Sequence, residues 1–363
     1  MSKAFVRLYT PQDQEAVDQL FQSHPMHLPG FDLIYSRQPH FQNLLKCQSE
    51  HFETVVAEEN NQVIGVTSLS WKQRQLRDQP VIVGYLSDLR MKKTRSASRI
   101  WREFYKEILS DSFMKKRGIN YYLTAVLADN NVAIKNLTQS KNNSFHYHLV
   151  DQPLMVNVLA QKPFSRGATE LPQMIFNDKF ENFLKSCRSN LKFSFEEGET
   201  SFRNTFWPGF RDQKALIFQK QDQIQAVCCP WSPEAVKQMK VSLPKPYFKL
   251  LTSAARLFGF PELKRDQSLT TQYLTSLYFD RQLSQGDRFK CLDGFLQVCL
   301  NDPSRAHLIS FSDRWGLSEL KEFKKKYLFQ TTQVNLYVVT PKDQDLPAEL
   351  KAPGAVDFEM GIV

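Results

Sequence analysis

The stretch with the clearest chemical content is Leu89–Trp101, LRMKKTRSASRIW. An apolar run, VIVGYLSD, precedes it, and WREFYKEIL follows. The order is strand, loop of small and basic residues, then helix. Such a loop presents backbone N–H groups at a helix start, where the aligned peptide dipoles favour an anion. The chemistry it suits is phosphate binding. His146 and His148 flank Tyr147, and imidazoles titrate near neutrality. His24 and His27 are the other close pair. Neither pair has a third ligand nearby in sequence, so no metal site is expected.

These residues need elements to position them. Phe5–Leu8 reads as a strand, and Gln12–Ser23 as a helix with Ala16, Val17, Leu20 and Phe21 on one face, capped by Thr10 with Pro11 in its first turn. Residues 24–37 hold Pro25, Pro29 and Gly30 and read as a loop, with a helical stretch over 38–48. Phe52–Ala57 and Gln62–Leu69 form a hairpin around a polar turn. Residues 74–79 read as a charged loop before the long strand Val81–Met91. A helix is expected over 98–114, with Ser96 or Ser98 as N-cap, closed by Lys115–Gly118. Tyr121–Val126 is a strand, Asn131–Gln139 a short helix, and His146–Val150 and Leu154–Leu159 two further strands. Met174–Cys187 reads as a connecting helix.

The chain has 363 residues, 42% of them apolar, which suits two ordinary domains with sizeable cores. Its formal net charge of +9 attracts phosphates. The charge is spread out, with dense runs only at Lys92–Arg95, Lys115–Arg117 and Lys324–Lys326. No aromatic and basic residues interleave as on a nucleic-acid-binding sheet, so nucleic acid is not an expected partner. No apolar run approaches the roughly 18 residues of a membrane helix. The six cysteines form no CxxC pair, and Cys228 and Cys229 sit in a strand, facing opposite ways. Reduced thiols in the cytoplasm are expected.

A faint repeat runs through the chain. Val55–Trp71, VVAEENNQVIGVTSLSW, matches Leu216–Trp231, LIFQKQDQIQAVCCPW, so that Val66 aligns with Val227. Tyr85–Met91, YLSDLRM, matches Tyr273–Phe279, YLTSLYF, which aligns Asp88 with Ser276. Ile100–Trp101, Phe104 and Ile108–Leu109 match Cys291–Leu292, Phe295 and Cys299–Leu300. Two matches in one order, on the same element types, argue for a duplicated domain.

The element order, with YLSDLRMKKTRSASRIW as its core, resembles the GNAT N-acyltransferase superfamily over residues 3–160, and a diverged copy covers about 200–340. The resemblance implies an α/β (α+β) fold, a mixed, mostly antiparallel sheet flanked by helices, in two tandem GNAT-like domains. The expected division is a candidate acyl-CoA-binding domain over 1–160, a linker and connecting helix over 161–190, a diverged domain over 191–345 and a tail over 346–363. The cofactor implied is acetyl-CoA or another acyl-CoA. Backbone groups of Leu89, Arg90 and Met91 would take pantetheine as an added strand. The loop Arg95, Ser96, Ala97, Ser98, Arg99 and Ile100 would take the pyrophosphate. The family's loop has Arg or Gln, two residues, Gly, one residue, then Gly or Ala. Here Arg95 fits, while Ser98 and Ile100 replace the small positions. The second copy, Asp280–Asp287, has two acids that repel phosphates.

The resemblance also implies an acid and a base. Asp88 matches the family's carboxylate base. The helix after the fifth strand fits at Asn130, Ala133 and Asn136–Leu137, but Leu137 stands where the family has a tyrosine acid. Tyr147 is a substitute, with His146 and His148 as neighbours. Asp88 and Tyr147 are thus the catalytic candidates and Asn130 a cofactor contact. The implied activity is acetyl transfer to the amine of a small molecule or peptide, and the alternative is a GNAT-like binding or regulatory protein without catalysis. The acceptor pocket is expected from residues 24–48, the 72–80 loop and the domain interface.

Overall fold

The computed structural model describes residues 4–28, 31–77, 79–108, 110–138, 145–162, 172, 179–195, 215–242, 246, 250, 253, 256, 268–342, 344–351 and 354–359. The strands are β1 (Phe5–Leu8), β2 (Met26–Leu28), β3 (Phe31–Ser36), β4 (His51–Glu59), β5 (Gln62–Leu76), β6 (Gln79–Met91), β7 (Ile119–Leu127), β8 (Phe145–Asp151), β9 (Leu154–Gln161), β10 (Ser194–Phe195), β11 (Leu216–Lys220), β12 (Gln223–Trp231), β13 (Gln238–Ser242), β14 (Thr271–Phe279), β15 (Leu308–Ser312) and β16 (Tyr327–Pro341). The helices are α1 (Gln14–Gln22), α2 (Asn43–Gln48), α3 (Arg95–Ile108), α4 (Asp111–Arg117), α5 (Asn131–Thr138), α6 (Lys179–Arg188), α7 (Gln285–Leu300), α8 (Lys321–Lys326) and α9 (Ala348–Lys351).

One large sheet runs in the order β1-β4-β5-β6-β7-β16-β9-β15-β14-β12-β11, with β10 on β5 and β8 on β16. Among the described strands, only β6–β7 and β14–β15 pair in parallel. The chain is therefore a mixed α/β protein with a mostly antiparallel sheet, as expected. The two halves exchange their last strands. β9 leaves the first half to lie on β15, while β16 reaches from the second half to β7 and β8. The two exchanged strands also pair with each other, from Tyr327 opposite Gln161 to Gln333 opposite Leu154. The sheet is thus continuous across the duplication.

The repeat is visible in the strand registers. In the first half Val66 pairs with Arg90 and Ser68 with Ser87, so Thr67 faces two residues, Asp88 and Leu89. In the second, Val227 pairs with Tyr278 and Cys229 with Thr275, so Cys228 faces Ser276 and Leu277. Each is a β-bulge, and its first residue has a left-handed φ, +59° at Asp88 and +48° at Ser276. The sequence match had aligned the same residues. Cys228 and Cys229 fall in core clusters on opposite sides of the sheet, and all six cysteines are free thiols.

Four local expectations need correction. Residues 24–37 are not a loop: β2 and β3 form a hairpin that β13 extends into a small second sheet. Residues 74–79 are the end of β5 and the start of β6. Arg74 looked like a solvated loop residue, yet it is buried and donates to the carbonyls of Phe193 and Asp357. The helix expected over 98–114 begins at Arg95 and breaks after Ile108, with Ser110 capping α4. Its N-cap is Thr94, not Ser96 or Ser98, because the Thr94 hydroxyl accepts from the Ala97 N–H at 3.2 Å. The start of the expected Met174–Cys187 helix lies outside the described residues, and α6 covers its end.

Trp101 fixes α3 on the sheet. It is 3% exposed and packs with Ala97, Val55, Ala57 and Ile64. Gly65 of β5 makes this possible, since a Cβ there would lie 2.5 Å from the indole nitrogen. Gly118 closes α4 in the left-handed conformation, φ +66°, as expected of a helix C-terminus. Among the described residues, no helix is long and apolar enough to cross a membrane.

Candidate functional site

β6 and β7 run parallel only as far as Leu86 and Thr124, where the Thr124 hydroxyl donates to the Leu86 carbonyl at 3.0 Å. Both strands then continue, β6 to Met91 and β7 to Leu127. They splay apart beyond the Asp88 bulge. The backbone groups that β6 turned toward β7 leave the ladder there, which makes an edge that an extended ligand can join. The splay opens on a cavity of about 350 Å³, within the size range of small-ligand pockets.

The cavity joins both halves. Ser87–Arg90 and Thr124–Leu127 form one wall. Met26, Leu33, Tyr35 and Arg37 of the first half and Met239, Leu269 and Leu308 of the second also line it, most of them apolar. β9 and β16 add Met155, Leu159, Thr332 and Val334, and α5 adds Ala133 and Leu137.

Of the residues expected from sequence, Asp88, Leu89, Arg90, Asn130 and Tyr147 meet on this cavity. The Asp88 carboxylate is already engaged. It accepts from Arg37 Nη2 at 2.5 Å, and both side chains are nearly sealed from solvent. The Asn130 carboxamide accepts from the Ala133 N–H and so caps α5. Tyr147 sits in β8 opposite Val339, with its ring centroid 6.2 Å from that of Tyr337. Burial pushes its phenol above the ordinary value. The phenol therefore stays protonated near neutrality. His148 is held to Thr340 at 3.0 Å, and burial lowers its imidazole.

Met91, at the end of β6, and Arg95, Ser96, Ala97, Ser98, Arg99 and Ile100, at the start of α3, do not line the cavity. Ala97 and Ile100 turn their side chains to the core beneath the helix. The N–H of Ser98 is spent on the Thr94 carbonyl, and that of Ala97 on the cap. The N–H groups of Arg95 and Ser96 precede the first intrahelical bond and remain for an outside acceptor. The Ser96 hydroxyl donates to Glu59 at 3.0 Å, which brings a carboxylate to the positive end of the helix. Exposed Lys92, Lys93, Arg95 and Arg99 surround the same point. None of the described residues of the 72–80 segment, expected to help line an acceptor pocket, lines the cavity.

Two cavity residues had no signal in the sequence. Arg37 is the last residue of the stretch read as loop, within the 24–48 segment expected at the acceptor pocket but with nothing to single it out, and Lys237 follows β12 in the other half. Lys237 is 5% exposed and stacks over the Tyr35 ring at 5.1 Å. Burial, helped by the Arg37 charge, pulls its ammonium down to about 7. Only the fold brings these residues, some two hundred positions apart, to Asp88.

The second half has the same bulge, and among the described residues that bulge is occupied. The Ser276 N–H donates to a Glu359 carboxylate oxygen at 2.9 Å. Asp357, two residues earlier, accepts from Tyr278 at 2.8 Å and pairs with Arg314 at 3.2 Å. The C-terminal segment 354–359 therefore plugs the diverged copy. Burial pushes the Glu359 carboxyl up to about 7.

No protein-family model and no curated protein matches the sequence. Solved structures do match in shape. Three crystal structures of Saccharomyces cerevisiae N-myristoyltransferase with bound myristoyl-CoA, one also with inhibitors, superpose with TM-scores of 0.54, 0.53 and 0.52. Each is 12% identical in sequence. The matches cover 94%, 98% and 94% of this chain and 80%, 89% and 82% of the others. At that identity the likeness establishes the fold: two tandem GNAT-like domains.

Proposed function

We propose that the protein is an acyl-CoA-dependent N-acyltransferase whose donor site is the splay between β6 and β7 of the first half. The observation that carries this reading is the bulge at Asp88, where a strand edge open for pantetheine meets an apolar cavity. The paired bulge shows what such a position can hold. At Ser276 the backbone N–H donates to a carboxylate oxygen, and the corresponding N–H of Asp88 would donate to the thioester carbonyl. A donor aimed where negative charge develops lowers the barrier to attack.

In this reading residues 1–160 carry the donor site and 191–345 the diverged copy. Backbone groups of Leu89–Met91 hold pantetheine. The N–H groups of Arg95 and Ser96, with the bases around them, hold the pyrophosphate. The apolar walls take the acyl chain. The neighbours in shape carry bound myristoyl-CoA, and a cavity of this lining suits a chain longer than acetyl. Tyr147 keeps its proton and can pass it to the departing CoA thiolate. Asp88 accepts from the incoming ammonium. The amine belongs to a small molecule or peptide. The free thiols suit a reducing compartment such as the cytoplasm.

The second reading is a GNAT-like binding protein without catalysis. It is favoured by the commitment of Asp88 to Arg37 and of Ser96 to Glu59. Thiol release separates the two. With acetyl- and myristoyl-CoA and a panel of amines, the first reading expects acceptor-dependent release of CoA that Tyr147→Phe slows at least tenfold. Acyl-CoA binding without any acceptor-dependent release would favour the second.

A further inference from the structure

The charges on the cavity wall do not balance. Two guanidiniums, Arg37 and Arg90, line it with one carboxylate, that of Asp88, among the described lining residues. Arg37 is 5% exposed, and only its Nη2 is bonded to Asp88. Its Nε and Nη1 are buried without a hydrogen-bond partner. A buried guanidinium with open donors loses hydration without replacement, a cost that an incoming acceptor relieves. Lys237 aside, the remaining titratable groups on the wall are tyrosines, whose phenols burial keeps protonated at Tyr35, Tyr85, Tyr105, Tyr147 and Tyr273. None can supply the missing anion.

The anion is not a phosphate of the acyl donor in this geometry. The pyrophosphate position lies at the start of α3, which does not line the cavity. The open guanidinium lies instead at the bulge, where acyl transfer would occur. There the Asp88 carboxylate and the open Arg37 donors stand side by side, one negative and one positive feature within a single ion pair.

We propose that the acyl acceptor is a free amino acid, bound as a zwitterion with its carboxylate on Arg37 and Lys237 and its ammonium on Asp88. This rests on the N-acyltransferase reading. The ammonium first loses a proton. The amine nitrogen then bonds to the thioester carbonyl carbon, the carbon–sulfur bond breaks, and the thiolate takes the second amine proton. The balance is amino acid plus acyl-CoA giving N-acyl amino acid, CoA thiol and one released proton.

The test is calorimetric titration of the full chain with each of the common amino acids and with the matching amino acid amides, with and without saturating CoA. The amides keep the amine and lose the carboxylate. At least one amino acid is expected to bind saturably, and its amide at least tenfold more weakly. Lys237→Met and Arg37→Lys should each weaken the acid and leave the amide unchanged, with circular dichroism reporting whether the variant is folded. Equal binding of acid and amide, or no amino acid binding with or without CoA, overturns the proposal. A separate titration with myristoyl-CoA tests the donor site. Myristoyl-CoA binding without amino acid binding removes this inference alone, and the reverse removes the donor reading while the carboxylate pocket stands.

Discussion

Replacing Asp88 by Asn separates a structural role from a chemical one. Asn tolerates the left-handed φ of +59° and keeps the side-chain shape, so the bulge should persist. What goes is the charge facing Arg37. Both side chains of this pair are about 5% exposed, and two Arg37 nitrogens already lack partners. Removing one member of a buried ion pair costs roughly 3–5 kcal/mol, and the retained Asn oxygen puts this case near the lower end. With an unfolding entropy of about 2.1 cal/mol/K per residue over 363 residues, a loss of about 3 kcal/mol lowers Tm by about 4 °C. Arg37→Met in the same chain removes the stranded charge, so the double variant should be more stable than the sum of the singles by at least about 1 kcal/mol. Thermal unfolding of the four proteins measures both quantities. If Asp88→Asn leaves Tm unchanged and the two substitutions simply add, the ion pair does not hold this wall and the reasoning fails.

Three further outcomes follow from the same geometry. Gly65→Ala drives a methyl into Trp101, and overpacking of this kind costs roughly 1–3 kcal/mol; thermal unfolding should fall by a few degrees, and acyl-CoA binding should weaken as α3 shifts. Glu359, buried at the second bulge, has its carboxyl raised to about 7, so the folded state binds more protons than the unfolded one between about 4.5 and 7. Its stabilising contribution is present below that window and lost as pH rises through it, and denaturant unfolding of Glu359→Gln should show a flatter profile there and a more stable protein at pH 8. Ser96→Glu adds charge beside Glu59 at the α3 start; it should cut CoA binding at least tenfold in calorimetry while changing amino acid binding little.

The sequence carried the duplication well. A repeat built on apolar strands and polar turns survives divergence, because a one-residue slip would turn each strand inside out. That is why Val66 aligns with Val227, and Asp88 with Ser276, in the sequence alone. The caps were less legible. Thr94, Ser96 and Ser98 all suit a helix start, and only the packing of Ala97 and Trp101 selects the first. Pro25, Pro29 and Gly30 hide β2 and β3, and the strand that completes their sheet, β13 beside β3, lies in the other half. The exchange of β9 and β16 leaves no local trace, because either strand would suit either half. For the same reason Arg37, Lys237 and Glu359 carry no motif. Their roles come from what the fold sets beside them.

Backbone hydrogen exchange, read by mass spectrometry with and without myristoyl-CoA, locates the donor site. The ligand should slow exchange over Asp88–Met91 and at Arg95 and Ser96, and leave Ser276–Phe279 unchanged, because Glu359 already occupies that bulge. Protection in the second half instead, or none over Asp88–Ser96 at saturating ligand, would contradict that location.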